Sequence, residues 1–269
     1  STLSSSSAAS DVYKRQRDDD FILTGKRHDF QISYKVGFED NGLINSVIVD
    51  QAMRCGMSWD LSEAIAARAM CHAENSYFIK NMRITSHRLK TNTQSNTAFR
   101  GFGGPQGIVG MERVIDHVAY HLNIDPLLVR ERNFYPHKTS TEYGKTPYGQ
   151  TVHDCVIQDI ISELKKTSNY FERRQSIEKF NKNNDFLKRG IALTPVKFGI
   201  SFNASFLNQA GALLHVYNDG SVYLNHGGTE MGQGLNTKIA QIVANEFKLP
   251  LNKICLLYTS PSPRDQRGS

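Results

Sequence analysis

Two glycine-rich segments, each running into an amphipathic helix, constrain this 269-residue chain most. The first is Arg100-Gly101-Phe102-Gly103-Gly104-Pro105-Gln106-Gly107, followed by Met111, Ile115, Val118 and Leu122 on one helical face. The second is Gly227-Gly228-Thr229-Glu230-Met231-Gly232-Gln233-Gly234, followed by Leu235, Ile239, Ile242 and Phe247. Glycine lets the backbone take positive φ and approach a ligand closely. A helix start offers free N–H groups and a partial positive charge, which suits an anion. Two such cradles predict a chain wrapped around one large anionic cofactor.

The spacing excludes the common nucleotide loops. Gly101, Gly103 and Gln106 break the dinucleotide pattern G-x-G-x-x-G, and Gln233 stands where a P-loop needs lysine. As bare loops, both are also compatible with ordinary tight turns.

The remaining pattern is mixed α and β. Phe30, Ile32, Tyr34, Val36 and Phe38 alternate as in a half-buried strand, and Asp40-Asn41-Gly42 turns the chain into a second strand over Ile44 to Val49. A helix is expected from Asp60, with Glu63 completing a capping box and Ile65 and Ala69 on one face. Residues 73–104 read as polar loop. Asp125-Pro126 reads as an N-cap with proline at the first helical position, and Val156 to Leu164 as a further helix. Residues 136–150 suit a linker, and 171–189 are charged and expected to be exposed. Strands are expected from Ile191, with a clear hairpin over Ala212–Tyr217, Asn218-Asp219-Gly220 and Val222–Leu224.

Charge and cysteine content narrow the function. Of the formal +6, residues 1–16 (Asp11, Lys14, Arg15) and 256–269 (Arg264, Asp265, Arg267) carry +1 each, leaving +4. That is mild: compatible with an anionic ligand and too weak to argue for nucleic acid on its own, so no nucleic-acid partner is expected. Cys55, Cys71, Cys155 and Cys255 form no Cys-x-x-Cys pair, so neither a zinc site nor a local iron–sulfur cluster is expected, and the spacing fits a reducing compartment. No apolar run approaches the ~20 residues of a membrane span, and no signal peptide is evident. A cytoplasmic protein without a membrane partner is expected. Both termini, 1–16 and 256–269, read as disordered or foreign tails, so the chain reads as an internal fragment.

Several side chains invite chemistry. Arg100 abuts the first loop, placed to hydrogen-bond an oxo or phosphate group. Phe102, between glycines, either plugs the core or stacks on a flat ligand. His117 and His121 lie four apart, but Val118 replaces the glutamate of a zinc protease, so a flanking, partly exposed pair is expected. Arg83, His87, Arg88 and Lys90 read as a solvated basic loop. Phe198, Phe202 and Phe206 recur every fourth residue, as in core packing, and Arg68 alone reads as an exposed helical arginine.

Taken together, three long motifs resemble the xanthine dehydrogenase family. Thr97-Ala98-Phe99-Arg100-Gly101-Phe102-Gly103-Gly104-Pro105-Gln106-Gly107 resembles its molybdenum-cofactor loop. Lys197-Phe198-Gly199-Ile200-Ser201-Phe202 with Leu207-Asn208-Gln209-Ala210-Gly211-Ala212 resembles its substrate-channel segment, and Gly227 to Leu235 its second cofactor loop. Order and separation also match, from about Arg17 to about Ile254.

The resemblance implies an α+β fold of two adjacent molybdopterin-binding domains, both incomplete: residues 17–140 and 141–255, with the cofactor between them. It implies a molybdenum–molybdopterin cofactor and oxidation of xanthine or hypoxanthine to urate with water-derived oxygen. Electrons would pass through [2Fe–2S] clusters and FAD, outside this chain, to NAD. Carried over by position, Arg100 would contact the molybdenum centre and, with Gly101, the cofactor; Gly232 and Gln233 would hold the pterin. Phe102 and Phe202 would sandwich a flat purine, and Arg68 would bind it and stabilise the negative charge that grows on it. Arg68 favours purines over the aldehydes of related oxidases. Asn203 departs from the family's usual threonine, which leaves purine choice open. The general-base glutamate would lie beyond Ile254, so the chain itself supplies no catalytic base; Glu230 falls in a cofactor loop. The resemblance also implies a homo-oligomer when complete and FAD and iron–sulfur partners. An aldehyde oxidase, another aromatic-heterocycle hydroxylase and a non-catalytic cofactor-binding relic are the alternatives.

Overall fold

The structure, a computed structural model, describes residues 17–199 and 201–256. The segments read above as tails lie outside the described residues, save Leu256, which ends the last strand. The described residues form two compact units that divide between Asn203 and Ala204.

The first unit opens with a short helix α1 (Arg17–Leu23) and then builds a three-stranded sheet from β1 (Phe30–Phe38), β2 (Ile44–Gly56) and β3 (Asn81–Lys90). β1 pairs with β2 antiparallel, Tyr34 opposite Val49, and β2 pairs with β3 parallel, Val49 opposite Ile84. Helix α2 (Ser62–Cys71) is the crossover that parallel pairing requires. The alternation in β1 is borne out: its apolar residues are half-buried and those between exposed. In β2, Val47, Val49, Gln51, Met53 and Cys55 are buried, so one face of the sheet carries the core. Helices α2 and α3 (Gly104–Leu122) supply Ile65, Ala66, Met111, Val114, Ile115 and Val118 to that core. Burying side chains of this size gives roughly 1.5–3 kcal/mol each before entropy is counted.

Helix α4 (Pro126–Asn133) begins as expected, with the Asp125 carboxylate accepting from the Leu127 N–H at 2.8 Å. Helices α5 (Ile157–Thr167) and α6 (Tyr170–Lys182) follow and add Ile161 and Tyr170 to the core.

Four local expectations fail, each for a physical reason. Residues 73–104 are not all loop: β3 is an edge strand in which only Met82 and Ile84 reach the core, so its charged residues hide the alternation. Arg83, His87, Arg88 and Lys90 therefore lie on a strand, with Arg88 over the Trp59 ring at 5.4 Å. The capping box is absent. Asp60 has φ +42° outside α2, no side chain caps the helix, and Glu63 faces Arg88 at 3.8 Å instead. The strand expected from Ile191 does not form until Ala212, whereas residues 171–189 are exposed or half-buried as expected, those up to Lys182 within a helix.

The second unit holds β4 (Ala212–Val216), β5 (Val222–His226), α7 (Leu235–Phe247) and β6 (Ile254–Leu256). β4 and β5 form the expected hairpin, with Leu214 opposite Leu224, and β6 pairs parallel to β5. Its core is Val222, Leu224, Ala240, Val243 and Ile254. The face anticipated for α7 is displaced, since Ile242 and Phe247 are exposed while Ala240 and Val243 pack inward.

Candidate functional site

The first glycine loop connects β3 to α3. Gly101, Phe102 and Gly103 take φ values of +92°, +51° and +93° in succession, a backbone path that L side chains rarely follow. Two tight turns fix it: the Phe102 N–H donates to the Phe99 carbonyl at 2.8 Å and the Gly104 N–H to the Gly101 carbonyl at 2.9 Å. A Cβ at Gly103 would collide with the Ile65 carbonyl of α2, and one at Gly107 with that of Ala69. These glycines thus let α3 pack directly on α2. Part of the glycine signal in this loop comes from close helix packing and two tight turns, with no ligand needed to account for Gly103 and Gly107.

Phe102 is half-buried and borders the cluster of Met53, Cys55, Ile65 and Ala66. Its ring meets Phe202 edge to face, with centroids 5.3 Å apart and planes at 66°. At that separation the rings touch, forming a corner in which a flat molecule would stack on one ring and meet the edge of the other. Phe198, 43% exposed, lies against His72 at 4.8 Å. Phe198 and Phe202 are therefore not the buried helical core expected from their spacing, and Phe206 is exposed in the second unit. Asn203 is exposed beside Phe202.

Arg68, read alone as an exposed helical residue, is buried in the last turn of α2. Its guanidinium donates to the carbonyls of Gly199 and Ser201, and its carbon lies 5.3 Å from the Phe198 ring and 6.0 Å from the Phe102 ring. Among the described residues no carboxylate pairs with it, and burial lowers its pKa. The result is a desolvated cation beside an aromatic corner, where a point charge acts more strongly than in water.

Arg100 is exposed, and its side chain has no hydrogen bond or ion pair among the described residues. Its carbonyl accepts from Arg27 at 2.5 Å, and Arg27 also stacks on Phe99 at 4.4 Å. Arg27 Nη1 and Gln106 Oε1 are buried without partners, both lining a narrow crevice with Phe102 and Gly103. A free guanidinium with an orphaned donor and an orphaned acceptor nearby fits a cofactor rich in anionic and hydrogen-bonding groups.

The second loop has a different character. Glu230 accepts from the N–H groups of Gly232 at 2.8 Å, Gly234 at 3.1 Å and Asn236 at 3.2 Å. These bonds depress its pKa, the Asn236 amide most. The N–H groups at the start of α7 are already turned toward an anion of the chain's own. Gln233 bridges the loop, accepting from Met231 N–H at 2.5 Å and donating to the Thr229 carbonyl at 2.9 Å.

Several residues escaped sequence reasoning. His72, Glu74 and Asn75 bind the segment that carries Lys197, Phe198 and Phe202. Glu74 is fully buried against the Lys197 ammonium, and desolvation raises its pKa. Nearby, Glu112 accepts from Tyr77 at 2.6 Å, Asn75 at 2.8 Å and Arg130 at 2.8 Å, and Arg130 also reaches Asp116 at 2.8 Å. Glu74 and Asn75 fall within the stretch read as polar loop, where nothing in the sequence marks them as buried, while Glu112 and Arg130 are charged residues within helical patterns. His117 and His121 do not share a ligand: one bonds the Tyr34 hydroxyl, the other meets the Phe38 ring edge-on at 5.6 Å. No group of three or more metal-ligating side chains occurs, and no helix is long and apolar enough to cross a membrane, among the described residues.

Two family models, both described as molybdopterin cofactor-binding domains, match residues 12–134 and 163–262. The fold is shared with quinoline 2-oxidoreductase from Pseudomonas putida 86, at a TM-score of 0.71 and 20% identity, over 90% of this chain and 32% of that one. The class is therefore that of molybdopterin-binding domains. Xanthine dehydrogenase of Oryza sativa subsp. japonica is 47% identical over 244 residues, 91% of this chain and 18% of the relative. Xanthine dehydrogenase/oxidase of Mus musculus is 45% identical over 268 residues, 97% of this chain and 20% of the relative. The chain belongs to the xanthine dehydrogenase family, within its molybdenum-cofactor-binding region. It spans about a fifth of the length of these curated relatives.

Proposed function

We propose that this chain is part of a molybdenum hydroxylase that oxidises a purine such as xanthine or hypoxanthine. The observation that carries this reading is the buried Arg68 guanidinium, without a carboxylate partner, beside the Phe102–Phe202 corner. A purine accumulates negative charge on its ring as an electron-poor carbon is attacked. A fixed, desolvated cation is best placed to stabilise that charge. The phenyl rings orient the flat heterocycle and keep water from the ring face. Arg100 and Gly101 of the first loop, with Gly232 and Gln233 of the second, are the proposed cofactor contacts. When bound, molybdopterin supplies the metal centre and the redox chemistry. Asn203 adds an exposed amide at the rim, able to donate to a ring substituent. We further propose FAD and iron–sulfur partners in the longer protein, and a cytoplasmic location.

The experiment is Arg68→Met in the full-length protein, assayed with xanthine and with an aromatic aldehyde, with molybdenum content measured in parallel. Loss of one such cation lowers kcat/KM for xanthine by about 10²–10³-fold, with metal content intact and the aldehyde little affected. Equal loss for both substrates, with amide hydrogen exchange of the peptide covering 195–203 unchanged, would overturn the purine assignment. A second reading, a hydroxylase of other aromatic substrates, draws support from one observation. Arg68 spends donors on the carbonyls of Gly199 and Ser201, which leaves the corner itself largely apolar.

A further inference from the structure

Residues 195–199 belong to no sheet or helix, and none of their backbone groups bonds to another backbone group among the described residues. An unpaired extended segment is normally mobile. This one is held instead by side chains from a single stretch, the end of α2 and the turn after it. Asn75 donates to the Pro195 carbonyl at 3.0 Å and accepts from the Lys197 N–H at 3.1 Å. His72 Nε2 accepts from the Gly199 N–H at 3.0 Å. Arg68 donates to the carbonyls of Gly199 and Ser201.

Arg68 lies in the last turn of α2, His72 caps its C-terminus, and Asn75 follows in the turn beyond, at φ +50°. Their contacts run in opposite directions along the two stretches: Asn75 with Pro195 and Lys197, His72 with Gly199, and Arg68 with Gly199 and Ser201. Phe198 and Phe202 fall on the gripped segment, so this register sets where the aromatic corner lies.

His72 is the central anchor, and its tautomer follows from its partners. The Arg68 carbonyl, 2.8 Å from Nδ1, can only accept, and the Gly199 N–H can only donate. The imidazole is therefore neutral with its proton on Nδ1. The ring is buried and lies against Phe198. Burial, with the nearby Arg68 and Lys197 cations, favours the neutral form, and only the Arg68 carbonyl opposes them. Of the other titratable groups in that stretch, Glu74 faces Lys197 and Cys71 is half-buried.

We propose that His72 is a positioning residue: in its Nδ1-protonated form it fixes the segment bearing Phe198 and Phe202 and thereby the shape of the aromatic substrate corner. The substrate class in this statement rests on the purine reading; the anchoring does not.

Two substitutions in the full-length protein separate anchoring from bulk packing. A glutamine carboxamide reaches the position of Nε2, so His72→Gln keeps an acceptor for the Gly199 N–H. An asparagine carboxamide reaches only the position of Nδ1, so His72→Asn keeps the bond to the Arg68 carbonyl and loses Gly199. The primary readout is amide hydrogen exchange of the peptide covering 195–203. Exchange there rises about tenfold in His72→Asn, the worth of one hydrogen bond, and stays within about twofold of wild type in His72→Gln. Turnover of xanthine follows the same order, with KM raised more than kcat in His72→Asn and restored in His72→Gln. Equal exchange in the two variants overturns the proposal. If exchange separates them while the wild-type protein fails to oxidise xanthine, the positioning role stands and the purine reading falls.

Discussion

Substituting the first loop's third positive-φ residue gives the sharpest test of how that loop is built. Gly103 combines φ +93° with a Cβ position blocked by the Ile65 carbonyl and the Ala69 nitrogen of α2. Gly149 has nearly the same backbone angle, φ +89°, but nothing within 4 Å of its Cβ position. Alanine at either site incurs the left-handed penalty, about 1–2 kcal/mol. At Gly103 it also overpacks against backbone that cannot swing aside, adding about 1–3 kcal/mol. Gly103→Ala is therefore expected to cost about 2–5 kcal/mol, and Gly149→Ala only the first part. The assay is urea unfolding followed by fluorescence of Trp59, the single tryptophan of the chain, which lies in the first unit. For an m-value of about 2 kcal/mol/M the two midpoints should separate by about 0.5–1.5 M. Equal midpoints would refute the reasoning that this glycine exists for close packing of α3 on α2.

The remaining predictions concern charge. Glu112→Ala leaves the Arg130 guanidinium, whose side chain is 3% exposed, with only Asp116, and should destabilise the first unit by about 3–5 kcal/mol in the same urea assay. The pair Glu112→Leu and Arg130→Met should recover most of that loss. Glu230→Gln should lower the thermal midpoint of the second unit at neutral pH. Because the native carboxylate is depressed by backbone N–H groups, its stabilisation is present above the ordinary carboxylate value and is lost as pH falls through the lower native value. The variant should therefore lack that acid limb in a circular-dichroism melt series. His28 and His72 are both depressed chiefly by burial, so their contribution is full above about pH 6.5 and declines as pH falls from there through their lower native values. His72→Gln should flatten part of this decline; an unchanged pH dependence would contradict the neutral assignment.

Strong, continuous periodicity was legible in the sequence. β1, the α3 face of Met111, Ile115 and Val118, the Asp125 cap and the β4–β5 hairpin all carry patterns that tertiary context leaves alone. β3 was not legible, because an edge strand with two inward residues has no pattern long enough to read. Phe198, Phe202 and Phe206 misled for the opposite reason: their spacing mimics a helix, but the chain beside Phe198 is held by side chains more than a hundred positions distant. Arg68 could not be recognised as buried from its alanine-rich neighbours alone. Its guanidinium is held by Gly199 and Ser201, and only folding brings them together. The glycine loops were visible, yet their physical basis was mixed, since close helix packing explains Gly103 and Gly107 without any ligand.

The strand paths of the two units carry a consequence of their own. Each unit runs a hairpin, then a helix, then a third strand parallel to the second, with sheet orders β1-β2-β3 and β4-β5-β6. Matched by connectivity, residues 227–234 correspond to the turn of residues 57–61 before α2, which carries Trp59, and not to residues 100–107. The two glycine loops that look like twins along the chain are thus not equivalent copies of one element. Their likeness is one of composition, at different places along two similar strand paths. At the matched helix starts, the carboxylate of Glu230 serves α7, while α2 has no side-chain cap at all.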